Sequence, residues 1–425
     1  MYNAAILGGG PAGYSCAIRI AQLGGKAVIV EKDEIGGTCL NRGCIPTKAL
    51  ISSVNALDSA KQAKRLGVNI EGAAADYARI FQHKETVVRS MRAGLSRLLE
   101  SYGIEVIKGK GKIESGSVVA GNRVIRAESA VIATGSEPVV PENLKGALTS
   151  DAVLSLKEQP ESMVIIGGGV IGAEFATIFS RLGTRVTIIE MLPRLIAGED
   201  EDVSGLLEKT LLRLGVDILT DARVLSVGDA VVAEKDGRQT EINAAVVLCA
   251  IGRRPAGFEG KVNGRMQVKP NLYAVGDAAG GMMLAHVAYA EGIVAAENIM
   301  GKKSVMDYSA VPNCIFTIPE IASVGLRPGK GTATGRFDYA ALGRARCAGE
   351  IEGFCKAVVK NGRVAGLHII GAHATDLIGQ GVIAVQQGMG VKSFERIMQA
   401  HPTFGEAVGE AILDSVGRAI HLPRK

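Results

Sequence analysis

The chain of 425 residues is 47% hydrophobic and 21% charged with a formal net charge of +5, the balance of a globular enzyme of two to four domains and not of a disordered segment. It has no block of five like charges and no apolar run of the roughly 18 residues that span a membrane, so neither nucleic acid nor a membrane is an expected partner. Its seven cysteines are odd in number and irregularly spaced, unlike a secreted disulfide framework, and the N-terminus carries no signal-peptide pattern, so the expected location is the cytoplasm.

Asn3 to Leu7 reads as a short apolar strand that runs into Gly8-Gly9-Gly10-Pro11-Ala12-Gly13 and then into an apolar helix ending near Gly24-Gly25. A second strand, Ala27 to Val30, ends at Glu31. Strand, G-x-G-x-x-G, helix, strand and terminal acid together form a dinucleotide fingerprint. The glycines let a pyrophosphate approach the helix N-terminus, and the acid bonds a ribose.

Next comes Gly36-Gly37-Thr38-Cys39-Leu40-Asn41-Arg42-Gly43-Cys44-Ile45-Pro46-Thr47-Lys48. The cysteine spacing is too wide for a thioredoxin-type pair, and no second pair stands nearby to complete a zinc site, so no metal is expected. Pro46 suits the first turn of a helix, which puts Cys44 at or beside its N-terminus. The positive helix end and Lys48 favour a thiolate there. On spacing alone, two unrelated buried thiols fit as well as a redox pair.

This stretch resembles, at almost every position, the active-site signature of the class I flavoprotein disulfide reductases, a pyridine nucleotide-disulfide oxidoreductase family. The resemblance implies that Cys39 and Cys44 form a redox disulfide against a flavin. Cys39 would be the interchange thiol, Cys44 the thiol beside the flavin, and Lys48 would lie near its N5. The first fingerprint would hold FAD through Gly8, Gly10, Pro11, Ala12, Gly13, Glu31, Lys32, Gly37 and Thr38, with Gly111 further along.

Lys48 to Leu66 and Tyr77 to Tyr102 carry helical apolar spacing. His83, with no Cys or His near it in sequence, reads as a surface or locally satisfied histidine. Val106 to Ile113 and Val118 to Ile125 read as strands with turns between. The strand Ala130-Val131-Ile132 enters the turn Ala133-Thr134-Gly135-Ser136, which resembles the family's exit from the flavin domain.

A second fingerprint follows: strand Met163 to Ile166, Gly167-Gly168-Gly169-Val170-Ile171-Gly172, a helix, and strand Arg185 to Ile189 ending at Glu190. Gly167 lies 159 positions after Gly8, and Glu190 lies 159 after Glu31. A shared offset implies two Rossmann-type units. Glu190 selects a free ribose 2′-hydroxyl, hence NAD over NADP. By resemblance Glu174 faces Lys48 and the nicotinamide, and Val224 and Gly252 belong to the same site. Val170 stands where glutathione reductases carry a tyrosine, which leans toward the dihydrolipoamide dehydrogenase branch. Arg253 and Arg254 read either as substrate ligands or as loop arginines near a domain boundary.

Leu272 to Val275 is a short strand entering Gly276-Asp277, and Asp277 can accept hydrogen bonds from ribityl hydroxyls or cap the next helix. Met283-Leu284-Ala285-His286 resembles the family's flavin-contacting helix start. The links from Gly252 to Gly276 and from Arg327 to Arg336 are short for the family and read as trimmed surface loops.

From Val311 onward the pattern resembles the family's dimerisation domain. Strands Phe354 to Val359 and Val364 to Ile370 meet at Asn361-Gly362, and helices are expected at Thr375 to Gln387 and Lys392 to Gln399. Cys347 and Cys355 read as free thiols. His401-Pro402-Thr403-Phe404-Gly405-Glu406 resembles the family's His–Glu dyad, with Thr403 as a plausible cap of the helix carrying Glu406. In the family this histidine serves the partner's disulfide, so a homodimer is implied.

The resemblance implies an α/β chain of FAD domain (1–141), NAD domain (142–268), FAD return segment (269–309) and α+β dimerisation domain (310–425). It implies oxidation of dihydrolipoamide borne on a lipoyl protein of a 2-oxo acid dehydrogenase or glycine cleavage complex. The rivals are a reductase of glutathione- or coenzyme A-type disulfides, a flavin-only oxidase or transhydrogenase, and a non-catalytic flavoprotein scaffold.

Overall fold

A computed structural model of the chain describes residues 1–114 and 117–423. Its first sheet runs, edge to edge, Gln267–Lys269, Leu272–Ala274, Ala127–Ile132, Tyr2–Leu7, Ala27–Glu31 and Glu105–Lys108. All pairings are parallel except that of the edge strand Gln267–Lys269. Parallel strands are covered on both faces, which is why Ala27–Glu31 is buried throughout and reads as an unbroken apolar run. Beyond Tyr2–Leu7 the chain first adds strands to one side and then returns to the other. That reversal opens a crevice between the ends of Tyr2–Leu7 and Ala127–Ile132, the usual ligand position in such sheets.

The second parallel sheet repeats the device with Asp217–Leu219, Arg185–Ile189, Ser162–Ile166 and Val246–Cys249. The repeat extends to single bonds. Gly8 N–H donates to the Val30 carbonyl at 2.8 Å, and Gly167 N–H to the Ile189 carbonyl at 2.8 Å. Each unit also has a three-stranded antiparallel sheet, Gly111–Glu114 with Ser117–Ala120 and Arg123–Ile125, and Arg223–Val227 with Val231–Lys235 and Arg238–Ile242.

The third unit is a five-stranded antiparallel sheet, Asn313–Ile315, Ile321–Gly325, Arg363–Ile370, Phe354–Lys360 and Ala333–Asp338, with helices Ala374–Gln386 and Glu406–Asp414 packed on it. Its hairpin turns at Asn361 and Gly362, with φ of 53° and 72°, as the two-residue turn requires. One apolar cluster joins the units: Leu50 and Val54 of helix Cys44–Gln62 meet Phe175 and Phe179 of helix Val170–Leu182, along with Ile315 and Phe354. Among the described residues, no helix is long and apolar enough to cross a membrane.

The structure differs from the sequence reading at several elements. The strand expected over 106–113 is two strands, Glu105–Lys108 and Gly111–Glu114, because Gly109 at φ 147° turns the chain out of the parallel sheet. The strand expected over 118–125 is likewise a hairpin. Residues 115 and 116, between the two expected strands, lie outside the described residues. The helix expected at 392–399 is only Val391–Phe394. Val391 and Phe394 are buried, but Ile397 and Met398 are exposed, so continuing the helix would bury nothing. A helix over Gly37–Arg42, not foreseen, carries Cys39.

Candidate active site

Two helices meet head to tail at Gly43, whose φ of −143° and ψ of −110° break the chain between Gly37–Arg42 and Cys44–Gln62. Cys44 is the first residue of the longer helix, and Cys39 lies on the last full turn of the shorter one. Both are free thiols in hydrogen-bonding contact. The Cys39 thiol, donating to Cys44 and withdrawn from water, is pushed far up. Cys44 is lowered to about 7, first by that bond and then by the Lys48 charge, against burial and Glu174. Cys44, at a helix N-terminus, is therefore the more acidic thiol of the pair.

Lys48, one turn on, reaches across to the second unit. Its Nζ lies 2.9 and 3.0 Å from the two carboxylate oxygens of buried Glu174 and 4.5 Å from the ring centroid of Phe316. Glu174 also accepts the Phe316 N–H at 2.9 Å. Three units thus meet at one side chain.

These groups border a cavity of about 910 Å³. Gly8, Gly10, Pro11 and Ala12 form one wall, with Gly37, Thr38, Cys39, Cys44 and Lys48 beside them. Glu31, Lys32 and Gly111 line one end. Ala133, Thr134, Gly135 and Ser136 come from the strand end, and Gly276, Asp277, Met283, Leu284, Ala285 and His286 from the return segment. Val170, Ile171 and Glu174 reach in from the second unit. A Cβ on Gly8 would meet the Ala133 carbonyl oxygen at 2.2 Å, and one on Gly13 the Gly8 carbonyl oxygen at 1.9 Å, so Gly8 and Gly13 set the turn, whereas a Cβ on Gly10 finds only Gly37 Cα at 3.8 Å. Gly10 leaves the approach for a ligand.

Glu31 anchors that turn, accepting Gly9 N–H at 2.7 Å and Asp33 N–H at 2.8 Å. Each oxygen keeps a lone pair for a ribose hydroxyl. Asp277 accepts the Ser136 hydroxyl at 2.5 Å and makes no side-chain cap, and Arg253 donates to the Ser136 oxygens at 2.8 and 2.9 Å. Arg253 is thus a cross-tie between strands Ser136–Pro138 and Arg253–Pro255, and Arg254 does the same with Glu137 at 2.8 Å. His286 contacts the Pro312 carbonyl at 2.9 Å; burial holds its imidazole below the ordinary value although that carbonyl pulls the other way.

Around the second turn, a Cβ on Gly167 would meet the Ala250 carbonyl oxygen at 2.6 Å and one on Gly172 the Gly167 carbonyl oxygen at 2.0 Å, whereas Gly169 has nothing within 4 Å. Glu190 accepts Gly168 N–H at 2.6 Å and Leu192 N–H at 2.7 Å. Arg194, the nearest cation after it in sequence, donates to the Ala197 and Glu199 carbonyls and is not turned to a 2′-phosphate. Val224 is buried in an apolar cluster with Val164 and Ile189, and its side chain is core. Gly252, at φ 123°, precedes the cross-tie strand.

His401 Nδ1 donates to Glu406 Oε1 at 2.8 Å, and Thr403 N–H to Glu406 Oε2 at 2.8 Å. Thr403 does not cap the helix: Gly405 is the N-cap, and the Thr403 hydroxyl bonds back to Ala400. Burial raises the Glu406 carboxyl, but the His401 and Thr403 bonds and the charges of His401 and His421 outweigh it and hold it low. The His401 side chain is 73% exposed and does not line the cavity.

Sequence reading passed over Phe316, Cys314 and the pair Tyr14–Tyr289. Cys314 lines the cavity and is pushed up to about 11 by burial. The tyrosine hydroxyls are 2.8 Å apart and feel the charge of both redox thiols. No spacing rule points to any of them, because each contact joins residues far apart in sequence.

A family model described as pyridine nucleotide-disulphide oxidoreductase matches residues 2–292, and one for the dimerisation domain of that family matches 311–412. The chain belongs to the pyridine nucleotide-disulphide oxidoreductases. It is 39% identical to a dihydrolipoyl dehydrogenase of Chlamydia muridarum (strain MoPn / Nigg) over 459 residues, covering 99% of this chain and 98% of the relative. It is 38% identical to a dihydrolipoyl dehydrogenase of Bacillus subtilis (strain 168) over 454 residues, covering 98% and 99%. Among solved structures, LpdA from Mycobacterium tuberculosis superposes with a TM-score of 0.87 at 26% identity, covering 96% of this chain and 98% of that one. The HOCl-induced flavoprotein disulfide reductase RclA from Escherichia coli gives 0.85 at 27%, covering 97% and 99%. As a pyridine nucleotide-disulphide oxidoreductase the chain has a cavity whose volume and glycine cradle fit a dinucleotide such as FAD, and a second, separate turn for a pyridine nucleotide.

Proposed function

We propose that this protein oxidises protein-borne dihydrolipoamide to lipoamide and reduces NAD, the reaction of a dihydrolipoyl dehydrogenase. The observation that carries this reading is the Cys39–Cys44 pair, with Cys44 at a helix N-terminus, set between two dinucleotide turns by Lys48 and Glu174. Full-length relatives named for that activity support it. FAD would be held by Gly8, Gly10, Glu31 and Asp277, and NAD by the turn at Gly167–Gly172 with Glu190. Bound flavin supplies a two-electron carrier between the thiols and the nicotinamide.

The chain's own residues do the rest. His401 Nε2 takes a proton from a substrate thiol, because Glu406 fixes Nδ1 as the donor and leaves the other nitrogen as base. The substrate sulfur bonds to Cys39, the Cys39–Cys44 bond breaks, and its electron pair stays on Cys44. The helix N-terminus and Lys48 hold that charge. Ser136, Arg253 and Asp277 fix one flank of the cavity. His401 is exposed and turned from its own cavity, so it serves a second subunit, which makes the active unit a homodimer; the matched dimerisation domain supports this. The domain limits 1–141, 142–268, 269–309 and 310–425, a cytoplasmic location, and a lipoyl protein of a 2-oxo acid dehydrogenase or glycine cleavage complex as partner complete the proposal.

The test is substrate choice. With NADH as reductant, lipoamide is expected to be reduced at least ~100-fold more efficiently than glutathione disulfide or coenzyme A disulfide, a preference of about 2.7 kcal/mol. Equal or better turnover of either rival would overturn the assignment.

A further inference from the structure

Helix Glu406–Asp414 carries two carboxylate–imidazole pairs. Glu406 Oε1 accepts His401 Nδ1 at 2.8 Å, and Glu410 Oε1 accepts His421 Nδ1 at 3.0 Å. The glutamates are four residues apart, on one face and about 6 Å from each other. In each pair the second carboxylate oxygen is bound by backbone N–H groups: Thr403 on Glu406, and Ile420 and His421 on Glu410 at 3.0 and 3.1 Å. Each glutamate therefore fixes its imidazole with a proton on Nδ1 and Nε2 outward. Within their own subunit the imidazoles are 73% and 61% exposed, while their carboxylates are largely covered at 16% and 11%. The charge on His421 is also felt at Glu406. The other charged group nearby on the tail, Arg418, is engaged by Glu395 at 2.7 Å.

We propose that His421 is a positioning residue that empties His401 of its proton between the two thiol steps. The proposal rests on the dithiol reaction given above. Oxidation of a dithiol releases two protons and two electrons. In the first step His401 takes one proton while the substrate sulfur bonds to Cys39 and the Cys39–Cys44 bond breaks, leaving its pair on Cys44. In the second, the remaining substrate thiol loses its proton, its sulfur attacks the first, and the bond to Cys39 breaks with the pair returning to Cys39. The contact with Cys44 and burial push the Cys39 thiol far up, which makes it the proton acceptor of the pair. It must receive the second proton, and His401 can carry that proton only if the first has gone. His421, held on Glu410 one helical turn from the Glu406 that holds His401, and with Nε2 free to accept, takes the first proton and releases it to solvent. The tail would be fastened by the Ile420 and His421 N–H bonds alone, so the imidazole pairing is additional to fastening.

The test uses the full-length flavin-loaded dimer. In H421N the amide can still donate to Glu410 but cannot accept and release a proton; H421Q is the second variant, should H421N fail to form a flavin-loaded dimer. The expected result is a fall in NAD reduction by dihydrolipoamide of at least ~10-fold in dilute buffer, restored by added free imidazole. Wild-type rates at every buffer concentration would overturn the proposal, and so would a loss that imidazole does not repair, which marks a fastening role. H401Q run alongside separates the two readings. If H401Q also turns over normally, the dithiol mechanism itself fails; if only H401Q is impaired, the relay alone fails.

Discussion

Lys48 Nζ sits 2.9 and 3.0 Å from the carboxylate oxygens of Glu174, 126 residues away in sequence and on the other dinucleotide-binding unit. The pair has opposite effects on the adjacent thiol: Lys48 lowers Cys44 and Glu174 raises it. It therefore sets both the closeness of the two units and the charge that Cys44 experiences.

The Cys44 thiolate follows from that balance. Since its pKa is lowered to about 7, the thiolate is present above that pH and is lost as pH falls through it. Ultraviolet thiolate absorbance of the reduced protein should titrate near 7. K48Q should raise the midpoint and E174Q lower it, each by roughly one pH unit. Midpoints that coincide in all three proteins would remove Lys48 and Glu174 from control of the thiol.

Base catalysis should depend on His401 more than on its orienter. H401Q is expected to lose roughly 10²- to 10⁴-fold in dihydrolipoamide-driven turnover. E406Q should lose less, because an amide can still bond the imidazole. Steady-state rates decide this, and an E406Q loss larger than that of H401Q would contradict the assignment of roles.

The glycines of the second turn separate folding from binding. G172A puts a Cβ 2.0 Å from the Gly167 carbonyl oxygen and should destabilise by about 1–3 kcal/mol or more, seen as a lower Tm. G169A meets nothing within 4 Å, so Tm should hold while KM for NAD rises. Equal Tm losses for both variants would show that Gly169 is structural.

Both dinucleotide units were legible because their signals are local: strand, glycine turn and acid lie within 29 residues, and the 159-residue offset doubles the evidence. The thiol pair and the His401–Glu406 dyad were legible for the same reason. Contacts assembled by tertiary folding were not. Phe316 over Lys48 and the Tyr14–Tyr289 pair join residues far apart in sequence, and Glu410 with His421 spans a turn whose ends carry no spacing rule. The helix expected at 392–399 failed because apolar spacing does not say whether a core lies opposite: Phe394 finds one and Met398 does not. Val224, assigned to the nucleotide by resemblance, packs its side chain in the core, so only its backbone is left to meet a ligand.

The most direct measurement is NAD reduction by the purified protein with free dihydrolipoamide as sole donor, run beside C44S. The wild-type protein should turn over at roughly 10–1000 per second and C44S should not turn over. No wild-type rate, or a C44S rate equal to wild type, would contradict a route through the Cys39–Cys44 pair.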